Sequence, residues 1–416
     1  MVDTLVLENA TIFDSTGRDP YGPGTLVIEG DRIKAVGPAS QVSAPRGATV
    51  IDATGKTILP GLIDAHAHVA FPEENLAADT ENKHPGAVYA YSVARIIKDT
   101  LMYGFTTVRD AGGCDWSFKL AVERGLIPGP RMFVANAFIS QTGGHGDMRQ
   151  RHDRSDPCAR WHPLMPPPAI ADGVPQVRQA AREQLRTGAD HIKVMAGGGA
   201  ASPTDPLDAP QFTVEELAAI VYEARVVRKP VMAHVYVPEG IKNCVQAGIL
   251  SIEHGNFLDE ESAYLMKEAD MYLVPTLSVY ELKSKHTVEG GTPQTTLDKI
   301  NLAKGRAPQS VEIAIAVGVN VASGSDVYGP DANRKALELE LKAAIMGPAM
   351  AIISATKTNA NLVGMGNEIG TLEEGKLADV IVVDGNPLED ITVLQDEKKI
   401  PIVIQGGRIV KGGGTA

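Results

Sequence analysis

Histidines and other side chains able to bind a metal occur at five separated places along the chain. His66 and His68 lie two residues apart in LPGLIDAHAHVAF (59–71), directly after an apolar run. Because side chains alternate along a strand, residues i and i+2 share a face, so the two imidazoles can bind one metal ion. Two histidines at a turn explain this stretch equally well, and the stretch by itself leaves both interpretations open.

The other candidates lie in short apolar runs farther along the chain. They are Lys193 in HIKVMAGG, His234 in PVMAHVY, His254 in LSIEHG and Asp326 in VNVASGSD. Taken singly, each has a structural explanation: a buried histidine, a lysine that reaches solvent, or an aspartate that caps a helix. Together, four imidazoles and a carboxylate match the ligands of zinc-like ions. The lysine fits only if CO₂ has converted it to an anionic carbamate, which requires burial and a lowered pKa.

The elements that carry these residues predict an α/β fold, in which eight short apolar runs alternate with helical segments. The runs span residues 59–65, 106–112, 131–138, 191–198, 230–236, 250–255, 271–278 and 319–326, and the helical segments include 88–103, 175–187, 213–228, 259–268 and 307–317. Eight βα units indicate a (β/α)₈ TIM-like barrel, whose strands end on one face. A doubly wound open sheet is the alternative, but no Gly-x-Gly-x-x-Gly motif follows the first strand.

Both ends of the chain have a different pattern, in which apolar and polar residues alternate and break at glycine or aspartate. Residues 27–37 (VIEGDRIKAVG) and 403–413 (VIQGGRIVKGG) resemble each other as a strand, a glycine turn and a strand. We therefore predict that residues 1–58 and 367–416 form one composite β-sandwich domain beside a barrel of residues 59–366. Two unrelated β segments are the alternative.

Composition excludes several classes of protein. The formal net charge of −12 argues against a nucleic-acid partner, because phosphate binding needs a basic face. No apolar run is long enough to span a membrane, and the N-terminal residues MVDTL lack the pattern of a signal peptide. The three cysteines are widely spaced and match neither a disulfide framework nor a Cys-x-x-Cys site. We therefore expect a cytoplasmic protein with no membrane partner.

In this order, the motifs GLIDAHAH, HIKVMAGGG, AHVY, SIEHG and ASGSD resemble the amidohydrolase superfamily of metal-dependent hydrolases. The resemblance runs essentially end to end. SQTGGHGD (140–147) and the tyrosine after AHV are similar to the imidazolonepropionase-like branch, which includes zinc-dependent Xaa-Pro dipeptidases (prolidases) and related amide hydrolases. The resemblance implies two divalent ions, zinc or else manganese or cobalt. It also implies their ligands: His66, His68 and Asp326 for one ion, His234 and His254 for the other, and a carboxylated Lys193 as the bridge.

Such a centre predicts a mechanism. A water shared by two ions gives hydroxide near neutral pH, and this hydroxide would attack a carbonyl carbon. Asp326 would act as general base and then as general acid for the leaving nitrogen. Tyr236, two residues after His234, and His145, in the glycine-rich TGGHGD, are the predicted donors to the substrate. Packing of the barrel is an alternative explanation for the tyrosine, and a loop hydrogen bond for the histidine.

We predict a small-molecule substrate with a C–N amide bond beside a free carboxylate, as in an Xaa-Pro dipeptide or an N-acyl amino acid. The alternatives are a xenobiotic or mycotoxin amide, urea or carbamate hydrolase of the same branch, and then a cyclic amidase or lactonase. A non-catalytic scaffold would show substitutions among the six ligand positions, and all six are intact.

Two long segments, 141–174 and 280–306, are expected to lie around the active site as loops. The first contains four arginines that either bind a substrate carboxylate or are simply solvated: Arg149, Arg151, Arg154 and Arg160. Gly197–Gly199 are expected to leave room for the substrate. The resemblance implies a homo-oligomer, and the apolar helices at 338–356 would pack within one subunit or between subunits.

Overall fold

The computed structural model describes residues 4–73, 85–158 and 161–412 of the chain, and it is a mixture of strands and helices. The strands in these ranges are β1 Thr4–Ile12, β2 Tyr21–Glu29, β3 Arg32–Pro38, β4 Thr49–Asp52, β5 Thr57–Pro60, β6 Leu62–Ala67, β7 Phe105–Asp110, β8 Arg131–Val134, β9 Ile139–Ser140, β10 Ala169–Ile170, β11 Ile192–Met195, β12 Val231–Val235, β13 Ser251–His254, β14 Tyr272–Val274, β15 Asn320–Val321, β16 Val380–Val383, β17 Ile402–Gln405 and β18 Arg408–Lys411.

The α-helices in the same ranges are α1 Gly86–Met102, α2 Trp116–Glu123, α3 Gly173–Arg186, α4 Val214–Val226, α5 Pro238–Ala247, α6 Glu260–Glu268, α7 Leu277–Lys283, α8 Gln294–Val317, α9 Leu337–Met346, α10 Pro348–Ile353 and α11 Asn359–Leu362. Local sequence explains several boundaries. Thr213 and Glu216 form a capping box at the start of α4. Pro238 opens α5, and Gly248 ends it in the left-handed conformation. Across the described ranges, every helix is too short or too polar to span a bilayer.

Strands from both ends of the chain share one eight-stranded sheet. Its order is β18-β17-β16-β5-β1-β2-β3, with β4 paired to β1. The two ends meet where β16 runs antiparallel to β5, with Val382 opposite Ile58. Apolar side chains from both ends, among them Leu7 and Val380, are buried in one cluster. The terminal segments are therefore joined by hydrogen bonds and by a common apolar core.

The strands of the central region run parallel, as β10-β9-β11-β12-β13-β14-β15 and β6-β7-β8. Main-chain bonds connect these two sets at both sides. The Ala65 N–H donates to the Ser323 carbonyl over 2.9 Å, and the Asp190 N–H donates to the Val134 carbonyl over 2.8 Å. The residues of β6, β7, β11, β12 and β13 are buried throughout, as expected for parallel strands covered on both faces.

The structure corrects two of the predicted elements. The run at 59–65 divides at Gly61, because β5 belongs to the terminal sheet and β6 to the parallel strands. Any side chain at Gly61 would lie 2.1 Å from Thr106 Oγ1, so the two sheets meet there without one. Much of the segment 280–306, expected as a loop, is helical, since α8 begins at Gln294. Its buried Leu297, Ile300 and Ala303 form an apolar stripe that the many polar neighbours conceal in the sequence.

The apolar segment at 338–356 packs within the chain. Leu339 of α9 and Ile352 of α10 are buried against Leu62 and Phe105, which belong to β6 and β7. Burying an aliphatic side chain contributes about 1.5–3 kcal/mol. These helices therefore pack against β6 and β7 and stabilise the position of the strands beside the candidate site.

Candidate active site

Two histidines at the end of β6 lie close to an aspartate that follows β15, the last parallel strand along the chain. Asp326 Oδ1 lies 3.6 Å from His66 Nε2 and 3.2 Å from His68 Nε2. One potential ligand atom from each of the three residues lies within 4.8 Å of the other two. The side chain of His66 is 1% exposed, and those of His68 and Asp326 are 13% and 15% exposed. The structure brings these three predicted ligands together at the spacing that one metal ion requires.

Close backbone packing makes this contact possible. The Asp326 N–H donates to the His66 carbonyl over 2.8 Å, and Asp326 has a φ of +54°. A Cβ on Gly324 would lie 2.5 Å from His66 Cβ, so a larger residue would separate the segments. Asp64 Oδ1 accepts from the N–H groups of His66 and Ser325 over 3.1 and 2.9 Å. Left-handed backbone at a non-glycine residue is costly, and it is often found at functional sites.

A second pair of histidines lies on the neighbouring strands β12 and β13. The ring centroids of His234 and His254 are 4.5 Å apart, and the ring centroid of His254 is 5.1 Å from that of His66. His234 Nε2–H donates to the Gly198 carbonyl over 3.0 Å, which leaves Nδ1 as its free nitrogen. His254 Nδ1 is 2.7 Å from Thr276 Oγ1, which leaves Nε2. Both His254 and Thr276 have positive φ values, +74° and +49°. The second pair therefore adjoins the first.

Lys193 lies on β11 and is almost completely buried. Burial lowers its pKa to about 8, although the charges of Glu253 and Asp326 oppose this shift. Lowering the pKa of a lysine increases the fraction of neutral amine, the form that carbamate formation requires. Burial also lowers the pKa of three imidazoles well below the ordinary value, namely those of His66, His234 and His254. The positive charge of Lys193 lowers these pKa values further. These histidines are therefore neutral, which is the form that binds metals.

The hydrogen bonds around the first histidine pair fit a metal cation. His68 Nδ1–H donates to the Gly112 carbonyl over 2.9 Å, and His66 Nδ1–H donates to Glu253 Oε2 over 2.7 Å. In a neutral ring, Nε2 then carries a lone pair, which here lies on the side of Asp326. Two lone pairs and a carboxylate oxygen repel one another unless a proton or a metal cation lies among them. The residues present therefore fit a divalent ion.

Both predicted substrate donors lie against the second histidine pair. The His145 ring stacks on His234 with centroids 4.2 Å apart, and its Nδ1 is 2.8 Å from Ser202 Oγ. Burial lowers the pKa of His145 to about 4, so the ring is neutral. The Tyr236 ring is 4.9 Å from His234, and its hydroxyl accepts from the Tyr280 hydroxyl over 2.9 Å. Burial raises the pKa of Tyr236, which keeps its proton available for donation.

The loop after β11 supports His145. A Cβ on Gly199 would lie 1.8 Å from His145 Nδ1, so the imidazole occupies the space that we expected the glycines to leave for the substrate. Lys299 Nζ donates to the carbonyls of Gly199, Ser202 and Asp205 over 3.1, 3.2 and 2.7 Å. The ammonium group therefore ties the loop to helix α8.

Sequence reasoning missed several residues of this site, namely Glu253, Thr276, Tyr280 and Lys299. A signal for Glu253 was present, because an acidic residue inside an apolar strand is buried only with a partner. Thr276 lies in the predicted run 271–278, two residues after β14, but threonine is not a metal-binding residue type and gives no signal there. Tyr280 and Lys299 lie in the segment expected as a loop, and their contacts depend on how distant parts of the chain pack.

The structure describes three of the four arginines of segment 141–174. Arg149 makes a bidentate pair with Asp147 over 2.8 and 2.6 Å. Arg151 and Arg154 are exposed, and Arg160 lies outside the described residues. Within the described part of the chain, this favours the solvated interpretation over carboxylate binding.

The amidohydrolase family model matches residues 57–410, most of the chain. The chain belongs to the amidohydrolase family. Members of this family are generally metal-dependent, in agreement with the group formed by His66, His68 and Asp326.

Curated relatives and solved structures agree with this assignment. Ochratoxinase from Aspergillus niger is 34% identical over 412 residues, which cover 95% of this chain and 84% of the relative. Imidazolonepropionase from Symbiobacterium thermophilum is 26% identical over 409 residues, 93% of this chain and 90% of the relative. The resemblance to the imidazolonepropionase-like branch is therefore confirmed.

Two solved relatives cover 99% of this chain and 100% of their own. One is a prolidase complexed with N-methylphosphonate-L-proline, with a TM-score of 0.93 and 39% identity. The other is a Xaa-Pro dipeptidase with methionine bound in the active site, with a TM-score of 0.88 and 30% identity. The chain is thus similar in sequence and fold to hydrolases of amide bonds.

Proposed function

We propose that this protein is a metal-dependent hydrolase that cleaves a C–N amide bond beside a free carboxylate, with Xaa-Pro dipeptides or N-acyl amino acids as substrates. The observation that carries the proposal is that His66 and His68, at the end of β6, lie close to Asp326, which follows β15. These are the first and the last of the parallel strands along the chain. The prolidase and Xaa-Pro dipeptidase relatives support the substrate class.

The proposed architecture is a (β/α)₈ barrel of residues 59–366 beside a composite β-sandwich of residues 1–58 and 367–416. The hydrogen bonds of Ala65 with Ser323 and of Asp190 with Val134 support closure of the barrel. The pairing of β16 with β5 supports the composite domain. Because β5 runs to Pro60 and pairs with β16, it supports a start of the proposed barrel at Gly61 rather than at residue 59.

The proposed metal centre contains two divalent ions, zinc or else manganese or cobalt. His66, His68 and Asp326 would hold one ion, His234 and His254 would hold the other, and a carboxylated Lys193 would be the bridge. The neutral imidazoles of His66, His234 and His254 and the burial of Lys193 support this set. When bound, such ions polarise a carbonyl and lower the pKa of a water.

The protein's own residues perform the remaining steps. Burial would raise the pKa of Asp326, but the neighbouring histidines lower it, so the carboxylate is ionised and can accept the proton of the attacking water. The same carboxyl group then returns the proton to the leaving nitrogen. His145 Nδ1 is 2.8 Å from Ser202 Oγ, so Nε2 is the ring nitrogen that remains for the substrate. In the tautomer with its proton on Nε2, the ring donates to the substrate carbonyl. Tyr236 accepts from Tyr280 and keeps its own proton for the substrate.

A second candidate is the hydrolysis of a mycotoxin or other xenobiotic amide. The similarity to ochratoxinase favours it. Two aromatic rings beside the first histidine pair also favour it, because Phe71 and Tyr328 lie 5.2 and 6.2 Å from His68 and could contact an aromatic substrate. No specific contact favours a urea, carbamate, cyclic amide or lactone substrate within the described residues.

A matched substrate library tests the proposal. Metal-replete protein is incubated with Xaa-Pro dipeptides, N-acyl amino acids and the C-terminal carboxamide of each compound. We expect cleavage of the acids and little cleavage of the carboxamides. Cleavage of neutral amides or esters alone would exclude the proposed substrate class. No cleavage, or fewer than two metal ions per chain by mass spectrometry, would exclude the proposed activity or centre.

We further propose a cytoplasmic homo-oligomer that acts on small molecules. All three cysteines, Cys114, Cys158 and Cys244, are free thiols, which suits a reducing compartment. Light scattering coupled to size-exclusion chromatography measures the oligomeric state, and a single-chain mass would contradict the proposal.

A further inference from the structure

Glu253 precedes His254 in the SIEHG motif, yet its carboxylate serves the other pair of histidines. The side chain is completely buried, and its Oε2 accepts from His66 Nδ1–H over 2.7 Å. Its Oε1 accepts from Arg109 Nη2 over 2.8 Å and from Ser251 Oγ over 2.6 Å. The two oxygens therefore act differently, since one binds the imidazole and the other is anchored to neighbouring strands.

The anchor of Glu253 is rigid. Arg109 also donates from Nε to the Ala65 carbonyl over 2.7 Å and from Nη1 to Ser251 Oγ over 3.1 Å. The guanidinium is thus bound to β6 and β13 at once, and it balances the buried negative charge of Glu253. Rotation of the carboxylate away from His66 would also break its contacts with Arg109 and Ser251.

The contact selects one tautomer of His66. An ionised carboxylate only accepts hydrogen bonds, so the proton of the neutral ring resides on Nδ1 and the lone pair on Nε2. A carboxylate partner also makes an imidazole a stronger metal ligand. His68 and His234 have neutral carbonyl partners instead, and His254 has the hydroxyl of Thr276. In the described structure, His66 is thus the one of the four histidines whose hydrogen-bonded nitrogen, the one turned away from the proposed metal, contacts a carboxylate.

We propose that Glu253 is a positioning residue that keeps His66 in its metal-binding tautomer and makes the site of His66, His68 and Asp326 the tighter of the two metal sites. The first ion added to metal-free protein therefore enters this site, and the second enters at His234 and His254. The inference rests on the two-metal centre of the proposed function, and it adds an order of loading that this centre does not require.

Metal binding is measured directly, without reference to activity. Metal-free protein is titrated with Co²⁺ in competition with a chromophoric chelator, and the wild type is expected to show a tight and a weaker phase. In Glu253→Gln, Arg109 and Ser251 retain the amide oxygen, so the NH₂ group faces His66 Nδ1 and favours the wrong tautomer. We expect the tight phase to weaken about 10–100-fold and the weaker phase to change little.

Two matched variants complete the experiment. Thr276→Ala removes the partner of His254 and should weaken the second phase while sparing the first. Glu223→Gln alters another buried glutamate, which pairs with Arg182 and has no contact with the site in the described structure, and should change neither phase. An unchanged tight phase in Glu253→Gln, or an equal weakening of both phases, would overturn the inference.

A wild-type measurement decides the question even if Glu253→Gln does not fold. Crystals prepared with one equivalent of Co²⁺ should show the ion at His66, His68 and Asp326. An ion at His234 and His254 would overturn the order of loading and leave the two-metal hydrolase intact. Wild-type protein that binds no metal would overturn both this inference and the proposed centre.

Discussion

A single methyl group at Gly199 is predicted to lower the activity strongly by displacing His145. The Cβ of Gly199→Ala would lie 1.8 Å from Nδ1, 2.0 Å from Cε1 and 2.4 Å from Cγ of the imidazole. Since carbon atoms in good contact lie about 3.5–4 Å apart, the ring must shift by roughly 1.5 Å. The backbone of Gly199 is not in the left-handed region, so the alanine itself is tolerated.

The shifted ring cannot keep its contacts. On one face it stacks on His234 at 4.2 Å, and its Nδ1 is bonded to Ser202 Oγ at 2.8 Å, so any movement breaks one or both. A misplacement of about 1 Å can reduce a rate about 10²-fold, and loss of a transition-state donor costs about 10²–10³-fold. We therefore expect kcat/KM of Gly199→Ala to fall about 10²-fold, equivalent to about 2.7 kcal/mol.

The assay compares kcat/KM, metal content and thermal unfolding for the wild type and four variants. Gly305→Ala, the same change at a helical position with open space around it, is the control and should retain full activity. If the methyl acts through the imidazole, His145→Ala and the Gly199→Ala/His145→Ala double variant should have equal activity. Near-normal activity of Gly199→Ala, or a double variant far worse than His145→Ala, would refute this reasoning.

Three further predictions follow from the same contacts. Asp326→Asn should lower kcat about 10²–10⁴-fold and reduce metal content much less, as measured by steady-state kinetics and mass spectrometry; near-normal turnover with both ions present would contradict its role as base. Removing the ions with a chelator should abolish activity and lower the midpoint of thermal unfolding. The reason is that a ligand at 1,000 times its Kd stabilises a folded protein by about 4 kcal/mol. An unchanged midpoint and an unchanged rate would exclude the metal centre. Lys342 is completely buried and donates to the Ala322 carbonyl and to Ser354 Oγ, while Glu338 is buried one helical turn away. Lys342→Met should therefore destabilise the fold by about 3 kcal/mol in chemical denaturation, and the Lys342→Met/Glu338→Gln double variant should lose less than the sum of the single changes; strict additivity would show that the two groups do not interact.

Most of the candidate site could be predicted because its residues sit in short motifs on strands. Alternation along β6 gives His66 and His68 a common direction, and apolar runs of strand length mark where His234 and His254 lie. The resemblance carried by these motifs led to the family that the comparisons confirm. Predictions from pattern were less accurate where the apolar period is weak, as in α8, whose first half was expected to be a loop.

The amino-acid sequence alone determined which side chains can bind metal, the order in which strands and helices follow, and the family to which the chain belongs. Only the tertiary structure decided which of these side chains meet. Glu253 contacts His66 across 187 residues, and Lys299 reaches back about a hundred residues to the loop beside His145. Such contacts depend on the relative positions of strands and loops that are distant in the chain. Local propensity and spacing carry no information about those positions, which are set by the packing of the whole core.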